Sequence, residues 1–386
     1  MDLDAYRAAA QAYATELNGA HLRRFAGLSA RWDPVAIHAR HVALWSDDAI
    51  EGLRDAGSRP LLRFAVEARL HARLAPVDAA RAEAEAGEDL AGLTAALAAE
   101  EDPVARVELG ERRLDATVRR LTPLAAEAVE QVRAEARALG WPSARAMWAE
   151  LQAVDLGALA AEAEALLRAT APPELPAWVQ ARHDLPRWRA VGRPPAPSLA
   201  AVLAALDLAP RFAIEDAPRP GASPRAFCAA VRVPDDVHLV AGDGGALLHE
   251  AGHALHLTHR PRKAPFEDRH LVDRATSEGF AFLLEELGGA DPLRPRRLAA
   301  ALLHDLDVLD AGAHPGLRDR YGNRMAAATG LDWPTAPWLT DADPLLSSAD
   351  YLRGLGRAHA LREQLGGPGW HERPGAGRRL AALMAA

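Results

Sequence analysis

Prolines set the tightest limits on this chain, because each one removes a backbone donor and disfavours a helical residue before it. From Met1 to about Thr170 the chain reads as Ala, Leu, Glu and Arg at helical spacing, interrupted at Pro60, Pro76, Pro103, Pro123 and Pro142. Helix after helix, broken at those points, is what such a pattern predicts. Ser143 after Pro142 and Asp155 before Leu-Gly-Ala-Leu have the residue types that cap helix N-termini. Apolar positions such as Leu114, Val118 and Leu121, then Val129 and Val132, recur at intervals that put them on one core-facing side.

Between Ala171 and Pro197 there are seven prolines, too many for a continuous helix, and this stretch reads as a connector. The expected division is therefore a helical region over 1–170, a connector over 171–197 and a further region over 198–386. Within the last region, Arg225 to Val233 and Val237 to Val240, joined at Pro234-Asp235-Asp236, read as two short strands. They are the only substantial β structure expected. From Gly245 the helical pattern resumes to the end of the chain.

Composition narrows the function classes. With 49% apolar and 25% charged residues, the chain of 386 residues is ordinary for a globular protein and long enough to bury a large core. Its net charge of −8 argues against a broad nucleic-acid face or an acidic membrane partner. Lys263 is the only lysine, so the abundant arginine reflects compositional bias more than function. The N-terminus opens with Asp2 and Asp4 and lacks a basic segment followed by an apolar one, and no apolar run reaches the roughly 20 residues of a membrane span. A cytoplasmic location is expected. The single cysteine, Cys228, can form neither an internal disulfide nor a thiolate cluster, so any metal must be held by His, Asp or Glu.

The chemistry concentrates at His249-Glu250-Ala251-Gly252-His253, entered from Leu247-Leu248 and continued by Ala254-Leu255-His256. On a helix, positions four apart lie on nearly the same face, one turn along the axis, so His249 and His253 can reach one ion. Zinc suits neutral imidazole nitrogen, and Glu250 projects to the side, where it can take a proton from water activated by the metal. Two ligands hold a metal poorly. Glu278, 25 positions after His253 on a second helical segment from Asp273 to Leu287, is the candidate third. One Zn2+ is therefore expected on His249, His253 and Glu278. Asp273 and Glu285 are candidates to orient the ligands.

With Glu278 in its Ser-Glu-Gly-Phe-Ala-Phe-Leu setting, His249 to His256 resembles the gluzincin metallopeptidases of the thimet oligopeptidase and oligoendopeptidase F type. Ser223 to Cys228 and Val231 to Pro234 are similar to that family's strand region before the metal helix. The resemblance spans about Gly221 to Leu287 and is weaker from Asp343 to Gly366. It implies a mainly α, two-lobed, zincin-like protein with a small β element before the metal-binding helix and a deep channel that admits peptides. It also implies that His249, His253 and Glu278 are zinc ligands and that Glu250 is the general base. Short peptides would be the substrates.

Peptide hydrolysis also requires a donor for the developing oxyanion. The C-terminal half has two tyrosines, Tyr321 and Tyr351. Tyr351, in Asp343-Pro344-Leu345-Leu346-Ser347-Ser348-Ala349-Asp350-Tyr351, is similar to the tyrosine-bearing segment of the family's channel. The family's further tyrosines in that segment are missing here, which keeps Tyr321 as a substitute. His256, one turn beyond His253, and His359, eight positions past Tyr351, are candidate substrate contacts. An exposed strand before the metal helix could hold an extended peptide by main-chain hydrogen bonds. The alternative reading is a catalytically retired protein of the same fold, which keeps the metal for stability and binds a peptide or protein without cutting it.

Overall fold

The computed structural model describes residues 1–29, 33–192, 196–215, 226–240 and 244–386. Gly221 and Ser223 to Arg225, which figure in the expectations above, lie outside the described residues. The fold is mainly helical with one small sheet. It divides into two compact units, each gathered from separate stretches of sequence. Unit 1 comprises Met1–Ala72, Pro194–Ala290 and Arg353–Ala386; unit 2 comprises Arg73–Arg193 and Asp291–Leu352. The boundaries at 72/73 and 352/353 fall inside the helices Arg59–Gly87 and Ser347–Leu365.

The helical first half is as the residue pattern predicts, and the caps at Ser143 and Asp155 are in place. Ser143 Oγ accepts the Ala146 N–H at 3.1 Å, and Asp155 Oδ1 accepts those of Gly157 and Ala158 at 2.9 Å. Two of the five expected breaks do not occur. Pro60 and Pro103 begin helices and Pro142 precedes one, but Pro76 and Pro123 lie inside the helices Arg59–Gly87 and Pro103–Ala138. Each of these helices runs 29 or 36 residues, long enough that tertiary packing along it outweighs one missing hydrogen bond.

In unit 2 the core gathers around Trp188, Tyr321, Met325, Trp333 and Trp338. Two buried polar contacts tie its elements together. Arg106 and Asp184, with side chains 3% and 6% exposed, lie 3.0 Å apart, and the Trp148 indole donates to Pro344 O at 3.0 Å.

In unit 1 the sheet has the order β1-β3-β2, with β1 Ala213–Glu215, β2 Phe227–Arg232 and β3 Asp236–Val240. β3 runs parallel to β1 and antiparallel to β2, in the register Cys228 opposite Leu239. β2 and β3 fall where the sequence places them. β1, three residues long, gives no periodic signal of its own. The helix Leu3–Phe25 covers β2, with Leu22 and Ala26 packed on Ala229 and Val231 and the Phe25 and Phe227 rings 4.8 Å apart.

Below the sheet the helix Gly244–Thr258 lies against the helix Arg274–Glu285. Leu248, Ala251 and Leu255, at helical spacing, are fully buried, as are Ala275, Ala281 and Leu284 on the facing helix. Gly252 allows this approach. A Cβ there would stand 2.5 Å from Ala281 Cα and 2.6 Å from Phe280 O, inside any permissible contact with a backbone.

Candidate metal centre

The close helix pair sets the geometry of the centre. His249 and His253 stand one turn apart with their ring centroids at 5.0 Å, and Glu278 faces them from the second helix. One ligand atom from each of the three lies within 4.8 Å of the other two. This is the one such group of three or more His, Cys, Asp or Glu among the described residues.

The far nitrogens of both rings are already committed. His249 Nδ1 lies 3.1 Å from Glu285 Oε2, and an ionised carboxylate can only accept, so Nδ1 carries the proton. His253 Nδ1 lies 2.8 Å from Ser277 Oγ, a hydroxyl able to accept in the same way. In the neutral rings each Nε2 then presents a lone pair. Both lone pairs face the Glu278 carboxylate, with His249 Nε2 at 3.4 Å from Oε2 and His253 Nε2 at 3.6 Å from Oε1. With both rings neutral, three acceptors converge on one point, and Glu278 Oε2 is buried without a hydrogen-bond partner. In a tetrahedron whose ligands stand about 2.0–2.1 Å from zinc, the edges are about 3.3–3.4 Å, close to these spacings. The donor set fits a divalent cation.

Electrostatics agree. Burial works against charging His249, but the carboxylates of Glu278 and Glu285 outweigh it and raise its pKa to about 9. Without an ion the His249 ring therefore carries the positive charge itself, with Nε2–H toward Glu278, in the place that a bound cation would take. Burial lowers His253 to about 4, which keeps its ring neutral and its lone pair available. The ligand side chains are between 13% and 18% exposed, so the centre is shielded yet reachable.

Glu250, between the histidines in sequence, points to the sheet. Its Oε2 accepts the Cys228 N–H at 2.9 Å, and burial, the largest influence on it, raises its pKa. That bond leaves β2 on the side away from β3. Asn18 Nδ2 donates to Ala230 O at 2.8 Å on the same edge. Cys228 itself is half-buried, and burial and Glu250 push its thiol pKa up, which leaves it unsuited to act as a nucleophile.

Of the orienting candidates, Glu285 holds His249, whereas Asp273 binds Arg353 at 2.9 Å and Arg357 at 2.7 Å. Ser277 was not singled out as a partner for His253. Its signal was its place immediately before Glu278, on a helix already expected to face the metal helix.

The remaining candidates are scattered. His256 is 1% exposed, its ring packed on Phe280 at 4.7 Å, and burial lowers its pKa to about 3, which suits an interior packing role over a substrate contact. Tyr321, 1% exposed in unit 2, receives the Trp333 indole N–H at 2.8 Å and donates to Asp341 Oδ2. His359 is exposed, with Nδ1 accepting from Arg362 at 2.7 Å. Tyr351 is 37% exposed in the helix Ser347–Leu365. One turn later in that helix comes Gly354, where a Cβ would lie 2.5 Å from Glu278 Cβ.

No protein-family model matches the chain, and no curated protein matches it. Among solved structures it is similar to an M32 carboxypeptidase from Deinococcus radiodurans R1, at 16% identity over 98% of this chain and 90% of that one, with a TM-score of 0.47. It is also similar to a Pyrococcus furiosus carboxypeptidase in an apo-Mg form, at 14% identity over 98% and 90%, with a TM-score of 0.45. Both are carboxypeptidases, not oligopeptidases of the thimet or oligoendopeptidase F type that the motif resembles.

Proposed function

We propose that this chain is a zinc-dependent peptidase acting on short peptides. The observation that carries the reading is the convergence of His249 Nε2, His253 Nε2 and the Glu278 carboxylate, with both distal ring nitrogens fixed by Glu285 and Ser277. His249, His253 and Glu278 would hold the ion. Zinc at such a site supplies Lewis acidity to a carbonyl and makes water acidic enough to be deprotonated near neutrality.

The chain's own residues do the rest. Glu250 accepts the proton of the attacking water and returns it to the leaving amine nitrogen, and its buried setting favours a carboxylate basic enough for that exchange. Tyr351 donates a hydrogen bond to the carbonyl oxygen as negative charge grows on it. The outer edge of β2 does not offer Cys228 N–H or Ala230 O to a peptide, since Glu250 and Asn18 already hold them. A zinc site kept for stability alone would not need a carboxylate at Glu250.

Mixed short peptides with free and with amidated C-termini test the reading and separate exo- from endo-cleavage. Glu250→Gln preserves an acceptor for the Cys228 N–H but removes the base. It should keep its zinc and lose about 10²- to 10⁴-fold in kcat. Retained cleavage would exclude this mechanism. Tyr351→Phe should lower kcat by about 100-fold with little change in KM, and an unaffected kcat would remove Tyr351 from the reaction.

A further inference from the structure

At the far end of the metal helix, where it passes Thr258, a cavity of about 290 Å³ opens beside the β2–β3 turn at Pro234 and Asp235. Arg211, His259, Arg260 and Arg262 line it. Three guanidiniums thus face one carboxylate, Asp235, which is taken by Arg262 at 2.8 Å. Arg260 donates to main-chain oxygens, Asp268 O at 3.1 Å and Met384 O at 3.4 Å, and forms no ion pair among the described residues. Arg211 is exposed and forms no ion pair among the described residues. His259 Nδ1 lies 2.7 Å from Leu255 O, a carbonyl that can only accept, which turns the other ring nitrogen outward.

The chain is acidic overall, with 53 Asp and Glu residues, yet here the charge balance is about +2 around a concave volume. The helix C-terminus accounts for one or two cations near its last turn, since they oppose its partial negative charge. It does not account for Arg211, which comes from the segment between the helix Leu199–Ala205 and β1. Guanidinium forks match the tetrahedral oxygens of phosphate, and a dianion would neutralise the excess. The volume exceeds what one phosphate fills, leaving room for a small organic group.

We infer that this cavity binds a phosphate dianion, free or as a small phosphate monoester, through Arg211, Arg260 and Arg262. The inference is independent of the metal centre and of the peptidase reading. Isothermal titration with inorganic phosphate and, separately, with glycerol phosphate tests it. Binding is expected at about 1 mM or tighter and should weaken with added salt, because the arginines are accessible to solvent. The double variant Arg211→Ser/Arg262→Ser should bind at least roughly tenfold more weakly with an unchanged unfolding midpoint. Tighter binding of the ester assigns the ligand as a monoester, and equal binding assigns free phosphate. Glu278→Gln should bind phosphate as the natural protein does. No saturation with either probe up to about 20 mM, undiminished binding in the double variant, or binding abolished by Glu278→Gln would each overturn the assignment.

Discussion

In the interior of unit 2, the Tyr321 hydroxyl donates to Asp341 and receives the Trp333 indole N–H at 2.8 Å, while Arg182 lies 2.9 Å from the same carboxylate. In unit 1, around His249 and His253, two neutral imidazoles and a carboxylate would bring only acceptors together, and one carboxylate oxygen is left buried and unpartnered. Both regions are polar and largely shielded from water. The first closes on itself, every donor matched to an acceptor, as folding stability demands of buried polar groups. The second leaves its acceptors unmatched, which costs stability unless a cation joins them. A satisfied network is therefore read as structure, and an unsatisfied one held rigidly by Glu285 and Ser277 as a site.

Substitutions in the two regions should accordingly fail in different ways. The largest effect is expected at Gly252, where a Cβ would drive into the backbone at Phe280 and Ala281 instead of a movable side chain. Gly252→Ala should lose about 1–3 kcal/mol or more in thermal unfolding and weaken zinc binding in the same protein, since one displacement moves both helices. Full stability with full zinc affinity would show that the close helix contact does not set the ligand geometry.

Next comes Glu285→Gln, which replaces the carboxylate behind His249 Nδ1 with a neutral amide. It should weaken zinc binding by about 10- to 100-fold, read by competition with a chelating indicator. Tyr321→Phe is its counterpart. That change should leave zinc affinity untouched and cost about 1–3 kcal/mol in denaturant unfolding, because Asp341 and the Trp333 N–H lose a buried partner. A Tyr321→Phe protein that lost zinc affinity while keeping its stability would erase the distinction between the two regions.

The sequence made the metal helix legible because a helix turns its fourth-neighbour side chains to one face, a local rule that needs no tertiary knowledge. Glu278 was legible as an acid on a following helix, and β2 and β3 as β-branched and apolar runs around a Pro-Asp-Asp turn. The gathering of each unit from separate stretches was not, since Met1–Ala72 joins 194–290 and 353–386 through packing alone. Pro76 and Pro123 read as breaks because local propensity was the only term visible, whereas contacts along long helices decide the outcome. His256 shared the stripe of His249 and His253, but one further turn carried it under Phe280. Which of Asp273 and Glu285 supports a ligand depended on side-chain reach, which sequence spacing does not contain.

The central claim is that three converging acceptors exist to hold a cation, and zinc stoichiometry tests it most directly. Elemental analysis after incubation with zinc and exhaustive dialysis should find one zinc per natural chain and almost none in His253→Ala or Glu278→Gln proteins that remain folded. A natural chain that retains no zinc, or variants that retain as much as it does, would contradict the account.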